Sequence, residues 1–314
     1  MTLPPALRAR LADLLGAPVE QEQPVYGGDI NQSARFVCGR RPYFVKWNAQ
    51  APADMFPTEA HGLQLLDEAR AVRVPRVIAQ GDASGSSASG SSASGNSASG
   101  NSASGSSADG DCPAFLVLEW IETGSKYGSG QALADFGAAL AAMHRHTADQ
   151  HGLDRDNYIG RLPQPNTPSP RWSTFYRDQR IGYQMALARR LGRLPHYRED
   201  VLTRLMERLP ELLDDKMMPP SLIHGDLWGG NYMIDNRNCA VLIDPAVCYG
   251  HREMDLAMSE LFGGFSPSFY EAYFEAYPAP GYPERRALYQ LYYILAHLNL
   301  FGESYGSRVD AIAA

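Results

Sequence analysis

Long apolar runs, clustered positive charge and paired cysteines are all missing from this 314-residue chain, and each absence removes a class of function. No stretch approaches the roughly 18 consecutive apolar residues of a spanning helix. The opening MTLPPALRARLADLLGA breaks its apolar residues with Arg8, Arg10 and Asp13, so neither a membrane partner nor an export signal is expected. Lysine and arginine number 28 against 35 acidic residues, a net charge of −7 without any long basic run. That argues against a nucleic-acid partner, whose binding rests on clustered cations. The four cysteines (Cys38, Cys112, Cys239, Cys248) form no CxxC pair, and none of the eight histidines joins them at zinc-finger spacing. Reduced thiols in the cytoplasm, no structural metal and a small-molecule partner are the expectation. What is present, 44% hydrophobic and 20% charged residues, suits one ordinary domain or two lobes around a cleft.

One segment departs from that composition. Ala83 to Gly110 holds 13 Ser, 6 Ala and 6 Gly in 28 residues, with glycine at every fifth position. Lacking a large apolar side chain, it cannot offset its ordering entropy and is expected to be a flexible loop outside the chemistry. It interrupts two β-type runs, Val74 to Ala79 and Ala114 to Trp120, that would otherwise pair through a short turn. Upstream, Phe36-Val37-Cys38 and Tyr43 to Trp47 flank Gly39-Arg40-Arg41-Pro42, a hairpin signal, and a helix follows from Thr58 to Leu66. Helical spacing dominates beyond Gln131: Leu133 to His146, Ile181 to Leu194, Arg198 to Leu213, Ser268 to Tyr277 and Arg285 to Phe301. The exception is a β-like pair, Tyr232 to Ile234 and Val241 to Ile243, joined by Asp235 to Asn238. The plan is α+β and bilobal. A small β-rich N-terminal lobe with one key helix (1–118, including the 83–110 insert) precedes a larger, mainly helical C-terminal lobe (119–314).

The densest polar cluster is His224-Gly-Asp-Leu-Trp-Gly-Gly-Asn231, followed by Ile243-Asp244-Pro245. A carboxylate, an amide five residues on and a second carboxylate after a hairpin are what phosphoryl transfer needs. One group orients the acceptor hydroxyl and two oxygen ligands hold Mg²⁺. In this reading Asp226 is the base, and Asn231 and Asp244 are the metal ligands. The competing view, a polar loop whose Asp and Asn only cap turns, does not account for the full pattern. Lys46 lies in an aromatic, β-branched strand where a charge is costly unless paired, and Glu59 opens the helix thirteen residues later. Together they would form the ion pair that positions ATP phosphates. A solvent-facing strand lysine is the alternative for Lys46. Gly27 and Gly28 could fold over the phosphates or simply make a hairpin turn.

These motifs resemble those of the fructosamine kinase (ketosamine-3-kinase) family, within the protein-kinase-like group that includes aminoglycoside and choline phosphotransferases. The most specific pieces are the 224–231 loop with its tryptophan, Asp244-Pro-Ala246 followed by Gly250 to Met258, Gly152 to Asn157 with Gln164-Pro-Asn166, and Leu298 to Gly302. The resemblance covers nearly the whole chain except the insert. It implies a protein-kinase-like fold and ATP- and Mg²⁺-dependent phosphorylation of the 3-hydroxyl of a ketosamine, a small molecule or a glycated lysine, with ribulosamine and erythrulosamine favoured over fructosamine. Asp29 departs from the family, some of whose members carry Ser or Cys in that turn.

The connector Glu119-Trp120-Ile121-Glu122 would offer backbone groups to the adenine, or be an ordinary strand end. Asp255 resembles the helix-borne aspartate that braces the catalytic loop, and His224 is read as fixing that loop rather than moving a proton. Trp228 would wall a sugar pocket or sit in the core. His144 and His146, two apart on a helix, cannot share a metal and are read as surface or loop packing. Only ten residues separate Asp244 from Asp255, too few for a segment that docks a polypeptide, so a small or protruding acceptor is expected. The chain is expected to be a monomer. Another small-molecule phosphotransferase of the same fold, or a catalytically silent ATP-binding module, are the alternatives.

Overall fold

The computed structural model describes residues 2–26, 30–82, 87–89, 112–124, 128–213, 215 and 218–314. The chain divides into two units, Met1–Ala60 with Pro75–Ile121 and His61–Val74 with Glu122–Ala314.

Pro5 suits a helix start, where its missing N–H would have no partner in any case. Helix α1 (Pro5–Leu15) buries Leu7 and Leu11 one turn apart and ends at Gly16, whose φ of 72° lets its N–H return to Ala12. The sequence reading places one helix in this region, and α1 is a second. The strands of the first unit are β1 (Val19–Pro24), β2 (Gln32–Cys38), β3 (Arg41–Asn48), β4 (Val77–Gly81), β5 (Ser87–Ser89) and β6 (Ala114–Glu119), with helix α2 (Met55–Glu68) between β3 and β4. They form one sheet in the order β1-β2-β3-β6-β4-β5, every pairing antiparallel. Gly39 (φ 55°) and Arg40 (φ 65°) close the β2–β3 hairpin as a two-residue turn that matches the strand twist. Arg41 and Pro42, read from sequence as part of the turn, therefore belong to β3.

Leu3, Leu7 and Leu11 pack with Ala34, Phe36, Val45, Trp47 and Val117 into the core of this unit. Lys46, between Val45 and Trp47, must point to the opposite face of the sheet. Of the insert, only Ser87–Ser89 are among the described residues. These pair with β4, Ala79 opposite Ser89 and Gly81 opposite Ser87, because a sheet edge carries backbone groups that a further strand satisfies. The flexible-loop expectation for the rest of the insert lies outside the described residues.

In the second unit the Ser129 side chain accepts the Ala132 N–H and starts α3 (Gly130–Met143). The hairpin β7 (Asn157–Ile159) and β8 (Leu162–Gln164) follows. Then α4 (Trp172–Phe175) runs through a π-helical stretch, Tyr176–Gly182, into α5 (Tyr183–Arg190). After α6 (His196–Leu212) come β9 (Ser221–Ile223), β10 (Tyr232–Ile234), β11 (Ala240–Leu242) and β12 (Cys248–Gly250). β10 pairs with β11 and β9 with β12, both antiparallel. The chain closes with α7 (Glu253–Leu261), α8 (Pro267–Ala276), α9 (Tyr282–Phe301) and α10 (Gly306–Ala313). A Cβ on Gly137 of α3 would lie 2.1 Å from the Phe269 carbonyl oxygen of α8, so glycine permits that close helix approach. No helix among the described residues is long and apolar enough to cross a membrane.

His151 is buried against the rings of Trp172 (5.2 Å) and Phe175 (6.4 Å). Burial pushes its pKa down to about 4, against the opposing pull of Asp215. An unfolded histidine titrates near 6.5, so below that pH the unfolded chain binds a proton that the folded one refuses. The contribution is fully present above about pH 6.5 and is lost as pH falls towards the folded value, about 2 kcal/mol by pH 5. Melting temperatures from pH 7.5 to 5 should therefore fall more steeply for the wild type than for His151→Phe. Parallel curves would contradict this account.

Candidate active site

In the first unit, Lys46 occupies an interior strand, opposite Ser33 of β2 and Leu116 of β6. Its ammonium nitrogen lies 2.5 Å from Oε1 of Glu59 on α2, with both side chains largely buried. A buried charge needs such a partner, and the solvent-facing alternative for Lys46 is excluded. Gly27, Gly28 and Asp29 lie outside the described residues. The Glu119 N–H donates to the Arg76 carbonyl at 2.9 Å. The Arg35 guanidinium stacks 5.4 Å above the Trp120 ring, and Ile121 is buried. Within the second unit, the Glu122 carbonyl accepts the Asn236 N–H at 2.9 Å.

The 224–231 loop leaves β9 and turns sharply. Gly225 has φ 82°, and a Cβ there would stand 2.1 Å from the Ala246 carbonyl oxygen, so only glycine lets the loop pass the segment after Asp244. The turn closes through Trp228 N–H to the Asp226 carbonyl (3.1 Å) and Asn231 N–H to the Trp228 carbonyl (2.9 Å). The Asn231 side-chain amide then donates to the Asp226 carboxylate (3.0 Å), the Asp226 carbonyl (2.9 Å) and the Asp244 carbonyl (3.4 Å). Asp226, Asn231 and Asp244 are thus brought together. Burial pushes the Asp226 pKa up to about 7. The charges of Asp244 and Asp255 add to this, and the hydrogen bond from Asn231 opposes it. Asp244 holds φ 52°, a left-handed conformation that aspartate tolerates better than most residues but that still costs energy.

Behind the loop, Asp255 on α7 accepts the N–H of His224 (2.7 Å) and of Gly225 (2.8 Å). His224 is fully buried. Its Nε2 faces the Ile243 carbonyl at 2.9 Å and its Nδ1 accepts the Asp226 N–H at 3.2 Å, a pattern that requires the neutral Nε2–H ring. Burial lowers its pKa accordingly. His144 corrects the sequence reading: it is buried, with Nε2 3.1 Å from Asp255 and Nδ1 2.8 Å from the Tyr273 hydroxyl. It sits one turn beyond Leu140 on the buried face of α3, and that spacing was the signal available in the sequence. His146 is exposed. Trp228 is 38% exposed rather than in the core, and its ring lies so close over Gly230 that a Cβ there would meet it at 2.3 Å.

A hard divalent cation fits the donors present. Asn231 and Asp244 offer oxygen ligands, and Mg²⁺ takes one or two side chains and fills its shell with water and phosphate. Among the described residues no group of three or more His, Cys, Asp or Glu is placed to hold a metal.

A lysine–glutamate pair on strand and helix, a half-buried aspartate on a loop with an amide five residues on, and an aspartate after the next hairpin define a protein-kinase-like phosphotransferase. Solved aminoglycoside phosphotransferases and a choline kinase share this fold at 14–16% identity and TM-scores of 0.57–0.62. The pattern of the fructosamine kinase family matches residues 5–314, and the chain belongs to that family. A probable ketoamine kinase of Lactiplantibacillus plantarum is 42% identical over 96% of both chains. The chloroplastic protein-ribulosamine 3-kinase of Arabidopsis thaliana is 36% identical over 92% of this chain and 80% of its own. The crystal structure of a candidate fructosamine-3-kinase from Thermobifida fusca YX-ER1 superposes with a TM-score of 0.80 at 32% identity, covering 98% of this chain and 96% of that one.

Proposed function

We propose that this protein is a cytoplasmic ATP-dependent kinase that phosphorylates the 3-hydroxyl of ketosamines. The observation that carries the reading is the convergence of Asp226, Asn231 and Asp244, with the Asp226 carboxyl pushed up to about 7. A base whose pKa lies near the working pH is well matched to accept a hydroxyl proton. Asp226 receives the proton of the acceptor hydroxyl as the hydroxyl oxygen attacks the terminal phosphorus of ATP, whose bond to the β,γ-bridging oxygen breaks to release ADP. Asn231 and Asp244 would hold Mg²⁺, which when bound would offset the negative charge of the phosphates and of Asp244. Lys46, fixed by Glu59, points its ammonium at the nucleotide phosphates. The adenine edge takes backbone groups of 119–122 other than the Glu119 N–H and the Glu122 carbonyl, which already have partners. His224 and Asp255 hold the loop in shape.

Membership of the family and the ribulosamine kinase among its relatives support a ketosamine acceptor. The chemistry is coherent. A phosphate on C3 neighbours the C2 carbonyl, so enolisation towards C1 makes it an allylic leaving group. Its loss leaves an imine at C1 that water hydrolyses to the free amine. With Mg·ATP, ribulosamine and erythrulosamine adducts should be phosphorylated, fructosamine more weakly, and choline and aminoglycosides not detectably. Choline or an aminoglycoside matching the best ketosamine would overturn the acceptor assignment.

The exposed face of Trp228, two residues from Asp226, suits the apolar face of a sugar. Trp228→Ala should raise the acceptor KM while leaving the ATP KM within about twofold. The reverse split would remove Trp228 from the acceptor site.

A further inference from the structure

Two sequence stretches have no role in this chemistry: Gly152 to Asn157 and Gln164 to Asn166. The fold brings their side chains together beneath the segment that follows Asp244, in a buried polar network. The Asn157 amide donates to the Val247 carbonyl at 2.8 Å. The Gln164 amide donates to the Ala246 carbonyl at 3.2 Å and to Asn157 Oδ1 at 2.8 Å, and Gln164 Oε1 accepts the Tyr292 hydroxyl at 2.5 Å. Asn166 also donates to Asn157 Oδ1, at 2.9 Å, and its own oxygen accepts from Arg180 at 2.8 Å.

Arg180 comes from the π-helical stretch, a widened turn of the kind found at functional sites. It is 2% exposed, and among the described residues no carboxylate lies within ion-pair distance of it. Its guanidinium is instead held by the Pro165 carbonyl (2.7 Å), Asn166, and the faces of Phe175 (4.6 Å) and Tyr292 (5.6 Å). A core need not bury a guanidinium and three amides merely to be stable, because apolar residues of similar volume do as well or better. A satisfied network does give fixed direction to the groups that it holds.

The groups it holds are the carbonyls of Ala246 and Val247, two and three residues after Asp244. The Ala246 carbonyl is also the atom that a Cβ on Gly225 would strike, and the Ala246 N–H donates to the His224 carbonyl at 2.8 Å. The Asp244 segment is therefore clamped between the catalytic loop and the network, with its left-handed residue at one end. Such strain persists only where the surroundings over-determine it.

We infer that Asn157 and Gln164 are positioning residues for Asp244: by holding the Val247 and Ala246 carbonyls, they keep its backbone left-handed and its carboxylate aimed at the divalent-cation site. The inference rests on the proposed Mg·ATP chemistry.

The test uses the full-length protein with Asn157→Asp and Gln164→Met, which remove the donated bonds at nearly constant volume, and Tyr292→Phe, which removes only the bond to Gln164. Two quantities are read: the Mg²⁺ concentration for half-maximal activity, and the rise in melting temperature caused by ADP with and without Mg²⁺. Asn157→Asp and Gln164→Met should raise the Mg²⁺ requirement tenfold or more and lose the Mg²⁺-dependent part of the ADP shift. The shift with ADP alone should persist, and the acceptor KM should stay within twofold. Tyr292→Phe, the variant least able to disturb folding, should raise the Mg²⁺ requirement two- to fivefold. A wild type that shows the Mg²⁺-dependent shift, with Tyr292→Phe and every folded amide variant sharing it unchanged, overturns the inference alone. A wild type with no Mg²⁺-dependent response to nucleotide overturns the functional reading as well.

Discussion

Asp226→Asn is expected to lower turnover by about 10²-fold or more, the usual loss when a positioned base is removed, while folding and nucleotide binding stay near wild type. The substitution is almost isosteric. Asn231 can still bond the Asp226 carbonyl, at 2.9 Å in the native protein, and the loop remains braced by Asp255, which holds the N–H groups of His224 and Gly225. What disappears is the proton acceptor. Relief of the burial that pushes this carboxyl to about 7 should leave the melting temperature unchanged or raised, because an uncharged amide is cheaper to bury than a carboxylate. Turnover within a few-fold of wild type, in a protein that still binds nucleotide, would remove Asp226 from the role of base.

The second large effect belongs to Asp244. Its φ of 52° makes the choice of substitution matter, since alanine would add backbone strain to the loss of charge. Asparagine tolerates the left-handed region as well as aspartate does, so Asp244→Asn isolates the carboxylate. Mg²⁺ affinity in the presence of nucleotide should fall about 10²-fold, the upper end of what weaker outer-shell changes cost. kcat/KM should fall in parallel at fixed metal and recover in part at high Mg²⁺. Unchanged Mg²⁺ dependence, measured by titration calorimetry with ADP and by kinetics, would sink the ligand assignment.

The convergence of Asp226, Asn231 and Asp244 was legible because all three lie within one loop-hairpin unit of the sequence, where spacing nearly determines geometry. Lys46 and Glu59 were legible for a related reason: a charge in an apolar strand requires a partner, and the next helix supplied one. The rest depended on contacts between distant segments. His144 reaches Asp255 across 111 residues: its place one turn beyond Leu140 signals burial, but no local pattern announces that partner. Helix α7 is buried on nearly every side, including Glu253, Asp255 and Ser259, and so shows no polar stripe from which periodicity could identify it. The helix read as Ile181 to Leu194 in fact begins at Trp172, because the π-helical stretch breaks the 3.6-residue spacing before the pattern resumes. The amides of Asn157 and Gln164 were visible as motif residues, but their partners, the carbonyls of Val247 and Ala246, are backbone atoms that a sequence does not display.

The most direct test is the fate of the amine. A peptide whose lysine carries a ribulosamine adduct, incubated with the protein, ATP and Mg²⁺ and followed by mass spectrometry, should first gain one phosphate on the sugar and then revert to unmodified lysine. Asp226→Asn should leave the adduct intact over the same period. Persistence of the unphosphorylated adduct with the wild-type protein, under conditions in which ATP is consumed on choline or an aminoglycoside, would contradict the account.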